Sequence, residues 1–341
     1  MTIHPWIDGA PAKGKRKTEP VVNPWNGREI ALSASIGIAF FPDDGEHDRL
    51  IANADVAMHS AKQAGRATYR FYSPQMDAGM RESILIQRDL RLALERDEFE
   101  LVYQAKVDAR SGRPTSTEAL IRWNHPERGR VSPGEFIPIA EKSGLIVQIG
   151  NWVLHRAVAQ MAEWMAQGLR IPVAINLSGQ HFQDPELPRI IQAALDPYDV
   201  DPSMLTLEIT ETAAMNDAEE TLRVLSSLAG IGVQISIDDF GTGYSSLAYL
   251  RRFHALQIKI DRSFIADIEE SEDARSVIQA VINLAHALQR QVVAEGVETP
   301  AQALYLKQHG CDELQGFLFS RPGPVQAMYD FFAEPAERSV A

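Results

Sequence analysis

Between residues 99 and 319, short apolar runs rich in β-branched residues alternate with longer stretches whose hydrophobic positions recur every three to four residues. The runs fall at 99–107, 116–123, 173–177, 205–209, 233–237, 255–260, 291–294 and 313–319, and the spacing predicts helices between them, among them 150–167 and 274–289. Strands buried on both faces read as nearly continuous apolar runs, whereas helices packed on them keep one polar face. Strand and helix alternating in this way predict a parallel sheet built from repeated units. Eight such units in about 250 residues predict an α/β fold of the TIM-type (β/α)8 barrel, preceded by a short non-barrel segment.

Upstream the pattern is different. Residues 1–30 are polar and broken by Gly9, Pro11, Gly14, Pro20, Pro24 and Gly27, which predicts a tail or linker. The basic cluster of Lys13, Lys15, Arg16 and Lys17 has no interleaved aromatics and reads as solvated charge. Residues 31–75 hold an apolar run at 34–40, a Pro42-Asp43-Asp44-Gly45 turn, helical spacing of Leu50, Ala54, Met58 and Ala61, and a second run at 68–72. So few residues bury too little surface to be stable alone.

Charge narrows the range of partners. The 341 residues carry 33 Lys and Arg against 46 Asp and Glu, a formal charge of −13, which opposes binding to duplex nucleic acid and to anionic membrane surfaces. An anionic substrate would need a local reversal of that field. Cys311 is the single cysteine, so there is neither an intrachain disulfide nor a cysteine-based zinc site. No run reaches the roughly 18 apolar residues of a membrane span, and the first 30 residues lack the apolar segment of a secretory signal. A cytoplasmic location is expected.

In a barrel of this type functional groups gather at the C-terminal ends of the strands, and here those ends are acidic. Glu118, Glu208, Asp238, Asp239 and Glu295 close or follow apolar runs, and Asn176 ends another. A single acid at a strand end usually caps a helix or sits in solvent. Five converging on one mouth would repel one another unless protons or cations intervened. All-oxygen ligation favours hard divalent ions, Mg²⁺ or Mn²⁺, over zinc, and a pair of such ions about 3.5–4 Å apart serves in-line displacement at phosphorus. Lys259 sits between Ile258 and Ile260, where a lysine is buried only with a partner: Asp261, a neighbouring acid, or a nucleophilic water and a charged phosphate. Asp239-Phe240-Gly241 lacks the accompanying kinase loops, and Gly241-Thr242-Gly243 lacks the third glycine of a dinucleotide fingerprint.

Taken in order, Glu118-Ala119-Leu120 with Arg122-Trp123, Asn176-Leu177-Ser178, Glu208-Ile209-Thr210-Glu211, Asp238-Asp239-Phe240-Gly241-Thr242-Gly243, Lys259-Ile260-Asp261, Ala294-Glu295-Gly296-Val297-Glu298 and Gln315-Gly316 resemble the EAL domain over residues 80–335. That family hydrolyses cyclic di-GMP. The resemblance implies hydrolysis to linear pGpG with two Mg²⁺ or Mn²⁺ ions. It implies Glu118, Asn176, Glu208 and Asp238 as ligands of a first ion, with Asp238 shared and Asp239 serving a second. Lys259 then corresponds to the catalytic lysine, Glu295 to a general base or second-ion ligand, and Gln315 to an essential polar partner. Arg122 and Gln104 correspond to substrate contacts, Arg122 as a phosphate-gripping fork and Gln104 beside it. The 239–247 segment, with Gly241 and Gly243, corresponds to a loop coupling metal binding to homodimerisation, pinned by Glu211. Ala105 stands where the family usually has proline, which makes that strand end more pliable. The alternative, a catalytically silent cyclic di-GMP receptor, would lack ligands or the lysine, and both are retained here.

Within residues 31–75, Ser35-Ile36-Gly37-Ile38-Ala39, Ala54-Asp55, Ala57-Met58, Ala61-Lys62 and Gly65-Arg66 resemble the last third of a GGDEF diguanylate cyclase domain. The Gly-Gly-Asp-Glu-Phe turn is missing from the sequence, so no cyclase activity is expected of this remnant.

Overall fold

A computed structural model describes residues 21–22, 29–30, 33–63, 67–215, 218–241, 252–253 and 255–333 of the chain. The chain forms two compact units, residues 1–88 and 89–341. In the first, β1 (Val21–Val22) pairs antiparallel with β2 (Glu29–Ile30). A small βαβ element follows: β3 (Ile36–Ile38) and β4 (Tyr69–Phe71) are parallel and joined through the helix His47–Gln63. That helix lies so close to β3 that a Cβ on Gly37 would stand 1.8 Å from the Ala54 carbonyl oxygen, so only glycine fits there. The helix Pro74–Ala93 comes next.

The second unit is a closed barrel. Its strands are β5 (Phe99–Asp108), β6 (Pro114–His125), β8 (Val173–Leu177), β9 (Leu205–Thr210), β10 (Gln234–Phe240), β11 (Gln257–Ile260), β12 (Gln291–Ala294) and β13 (Glu313–Gln315), while β7 (Gly129–Val131) extends the sheet as a hairpin from β6. Pairing runs β5-β13-β12-β11-β10-β9-β8-β6, and β6 pairs with β5 again, which closes the ring. The TIM-type expectation holds with one refinement. β5 runs antiparallel to both β6 and β13, while β6 and β8 to β13 are mutually parallel. Residues 109–113 between β5 and β6 form a tight turn, with Gly112 N donating to Asp108 O at 2.8 Å. A parallel crossover needs a dozen residues or more, so a connection this short can only make a hairpin.

Helices pack on the outside of the ring. Ile146–Ala166 buries Ile149, Val153, Ala157, Met161 and Trp164 against it. Inside, the barrel is not wholly apolar: Lys106, Glu208 and Lys259 are each at most 1% exposed. Their alternate positions along β5, β9 and β11 carry apolar residues turned towards the helices, among them Ala105, Val107, Leu207, Ile209, Ile258 and Ile260, all buried.

Candidate active site

The site is assembled by strand register. Gln104 on β5 stands opposite Glu118 on β6, and Asn176 on β8 opposite Glu208 on β9. Ser236 on β10 is level with Glu208, which sets Asp238 two residues higher at the mouth. The register between β10 and β11 shifts between Ile237 and Phe240. Within that irregularity Asp239 takes φ 53°, and its N–H donates to Asp238 Oδ1 at 2.8 Å. The bulge turns two consecutive acids towards one end of the barrel, which regular pleating would place on opposite faces.

Lys259 is the centre of the arrangement. Its Nζ lies 2.6 Å from Glu208 Oε2, 2.6 Å from Glu295 Oε1, 3.1 Å from Asp238 Oδ2 and 3.8 Å from Glu118 Oε2. Asp261, the nearest acid in sequence, instead caps a helix by accepting from Ser263 N at 3.0 Å. Around this hub the polar groups interlock. Asn176 Nδ2 donates to Glu118 Oε1 at 2.6 Å, Gln315 Nε2 donates to Glu118 Oε2 at 2.7 Å and to Gln104 Oε1 at 3.1 Å, and Gln104 Nε2 donates to the Ser320 carbonyl at 2.8 Å.

A second lysine, not anticipated from the sequence, completes the set: Lys106 Nζ lies 2.6 Å from Glu208 Oε1. The signal was available, since Lys106 stands between apolar Ala105 and Val107 as Lys259 does between Ile258 and Ile260. Burial works to raise the Glu208 carboxyl, yet the two lysines hold it at about 2. Burial pushes Glu295 up to about 8, and it also raises Glu118, Asp238 and Asp239. Burial opposes charge on Lys259 too, but Glu118, Glu208, Glu295 and Asp238 outweigh it and raise the ammonium well above the usual lysine range. Five acids thus face two lysines, and the mouth is short of positive charge.

A cleft of about 310 Å³ opens above Lys259, lined by Gln104, Glu118, Asp238, Glu295, Gln315 and Phe317 among others. Arg122 is elsewhere. It lines an adjoining cleft of about 310 Å³ with Asn176 and Ser178, and Leu120 borders both. The separation from Gln104 follows from register, because Arg122 is opposite Glu100, four residues along β5. Arg122 Nη1 donates to the Ile121 carbonyl at 2.8 Å. Glu211, buried after β9, accepts from Gly241 N through Oε2 at 2.9 Å. Gly243 and the rest of residues 242–247 lie outside the described residues.

The residues fit a hard cation. Their donors are all oxygen, the acids outnumber the two lysines, and Gln315 Oε1 is a buried acceptor with no partner. Among the described residues no three acidic, histidine or cysteine side chains form a ready-made ion cage; Lys259 Nζ stands between the acids.

Fold and site together define an α/β barrel whose acidic, lysine-centred mouth is suited to divalent cations and, through them, to an anionic ligand. The EAL domain family matches residues 87–322, and the chain belongs to that family. The GGDEF diguanylate cyclase family matches residues 10–68 as a short remnant. The chain is 47% identical over 302 residues to the bifunctional diguanylate cyclase/cyclic di-GMP phosphodiesterase MucR of Pseudomonas aeruginosa, covering 88% of this chain and 44% of MucR. It is 37% identical over 312 residues to the cyclic di-GMP phosphodiesterase PdeR of Escherichia coli, covering 91% of this chain and 47% of PdeR. The chain therefore spans less than half the length of these relatives. A solved structure of the PaMucR phosphodiesterase in complex with c-di-GMP superposes with TM-score 0.70 at 47% identity, covering 72% of this chain and 99% of that one.

Proposed function

We propose that the barrel is a metal-dependent phosphodiesterase that hydrolyses cyclic di-GMP to linear pGpG. The observation that carries this reading is Lys259 Nζ held among Glu208, Glu295 and Asp238 beneath an open cleft at the strand ends. Membership of the EAL family and the similarity to a phosphodiesterase solved with c-di-GMP support it.

Glu118, Asn176, Glu208, Asp238, Asp239 and Glu295 are the residues to hold two Mg²⁺ or Mn²⁺ ions. Such ions, when bound, supply activation of water and neutralisation of phosphate oxygens. The chain's own groups do the rest. Lys259 orients the water and offers positive charge to the oxygens on which negative charge grows. Glu295, on the same ammonium, is placed to hold a cation or to accept the proton of that water. The water oxygen forms a bond to phosphorus, the P–O3′ bond breaks, and the proton ends on O3′, leaving a 5′-phosphate on pGpG. Gln104 and Gln315, tied to one another and to Glu118, fix the acid's orientation against substrate. Arg122, in the adjoining cleft, suits a second phosphate by its planar fork.

In this reading 80–335 form the catalytic barrel and 31–75 the GGDEF remnant, whose family match reaches back to residue 10 and so takes in most of the 1–30 segment expected as tail or linker. Homodimerisation, coupled through the segment beginning at Asp239 and pinned by Glu211, and a cytoplasmic location belong to it as well. No described helix is long and apolar enough to cross a membrane.

The test is incubation with cyclic di-GMP and Mg²⁺, with products separated by chromatography. Formation of pGpG that EDTA abolishes is expected. Saturable binding of intact dinucleotide without product would make the barrel a receptor and overturn the proposal.

A further inference from the structure

Glu208 is bracketed by two ammonium groups. Lys106 Nζ is 2.6 Å from its Oε1 and Lys259 Nζ 2.6 Å from its Oε2, with every partner at most 1% exposed. Lys259 is shared with Glu295 and Asp238, so Glu208 draws its second cationic partner from Lys106, although burying that ammonium costs several kcal/mol before any pairing. A position that served packing alone would hold an apolar side chain of similar volume, as its neighbours Ala105 and Val107 are apolar and buried.

The two lysines are used differently. Lys259 divides its donors among Glu208, Glu295 and Asp238. Lys106 has Glu208 as its one ion-pair partner among the described residues. Lys106 Nζ holds Glu208 Oε1 in place through a charge-assisted bond of 2.6 Å. Without it that oxygen would be left unpaired in the interior, a cost the carboxylate relieves by rotating towards Lys259 and drawing Nζ from Glu295.

We propose that Lys106 is a positioning residue: by fixing Glu208 Oε1 it leaves Lys259 shared between Glu208 and Glu295 and sets the charge of the cation site. The inference rests on the reading of the barrel as a divalent-metal phosphodiesterase. It gives Lys106 two effects of opposite sense. The lysine lowers the pull of the site on cations, because it adds positive charge close to them, and it raises turnover, because it keeps the ammonium where the water must be held.

The experiment compares the full chain with Lys106→Met by thermal unfolding, Mn²⁺ binding followed through the electron paramagnetic resonance of free ion, and steady-state hydrolysis of cyclic di-GMP. The folded variant is expected to bind Mn²⁺ about threefold tighter or more, with kcat lower by about tenfold or more and KM within about twofold. Wild-type kcat in the folded variant overturns the proposal. So does weaker Mn²⁺ binding with a parallel loss in KM, which is the pattern of a merely structural lysine. If the wild type binds Mn²⁺ but does not cleave the dinucleotide, the functional reading fails; tighter Mn²⁺ binding in the variant would then still carry the charge assigned to Lys106, and unchanged binding would defeat it. Absence of Mn²⁺ binding in both proteins defeats both. Should Lys106→Met not fold, Lys106→Arg keeps the charge and moves the donor. A folded arginine variant with kcat lower by about tenfold supports the positioning role, and wild-type kcat contradicts it.

Discussion

Lys259 is buried because its neighbours are acids, and those acids are tolerated together because Lys259 is among them. Removing a member should therefore cost stability as well as chemistry, while the fold is kept by strands held through apolar residues such as Val173, Ile175, Ile258 and Val292, each at most 1% exposed. Lys259→Ala and Glu118→Ala are expected to lower kcat by about a thousandfold or more while the circular dichroism spectrum stays that of the wild type. Cys311 illustrates the opposite kind of residue. It is 1% exposed, its Sγ is 3.3 Å from the Glu313 carbonyl, and burial pushes its thiol up to about 12. A thiol reagent should label none of it in the native protein and one equivalent after denaturation. The acids and Lys259 were legible as residues at strand ends. Lys106 was less legible because it lies within β5, away from the strand ends at which functional groups of such barrels gather.

At the scale of elements, the runs at 173–177 and 291–294 coincide with β8 and β12, because β-branched segments buried on both faces carry an unambiguous pattern. The last apolar run predicts a strand as far as residue 319, yet β13 ends at Gln315. The chain turns there: Phe319 N and Ser320 N both donate to the Gly316 carbonyl, each at 3.1 Å. Apolar Phe317, Leu318 and Phe319 gave no sign of that turn, and the reason for it is a close backbone approach that hydropathy does not encode. A Cβ on Gly316 would come within 2.0 Å of the Val297 carbonyl oxygen. Gly316→Ala should therefore destabilise the barrel by about 2–3 kcal/mol, read as a fall of about 5 °C or more in Tm, with lower activity because Gln315 directly precedes it. The antiparallel sense of β5 was likewise hidden, since alternation reports burial and not direction. The helix predicted over 150–167 begins four residues earlier, at Ile146, as helix boundaries are the weakest part of a periodicity reading.

At the scale of the molecule, every described residue assigned to the site lies in the 89–341 unit. Removal of residues 1–73 leaves the helix Pro74–Ala93 intact. The shortened chain is expected to keep kcat within about twofold of the parent, checked by dinucleotide turnover together with thermal unfolding. A large loss of Tm would instead show that the first unit stabilises the second.

The central claim is that water attacks phosphorus at the lysine-centred mouth. It is tested most directly by running the reaction with cyclic di-GMP in ¹⁸O-labelled water and weighing the product by mass spectrometry. A single labelled oxygen in the 5′-phosphate of pGpG is the predicted result; an unlabelled product, or intact cyclic di-GMP after prolonged incubation with Mg²⁺ or Mn²⁺, would contradict it.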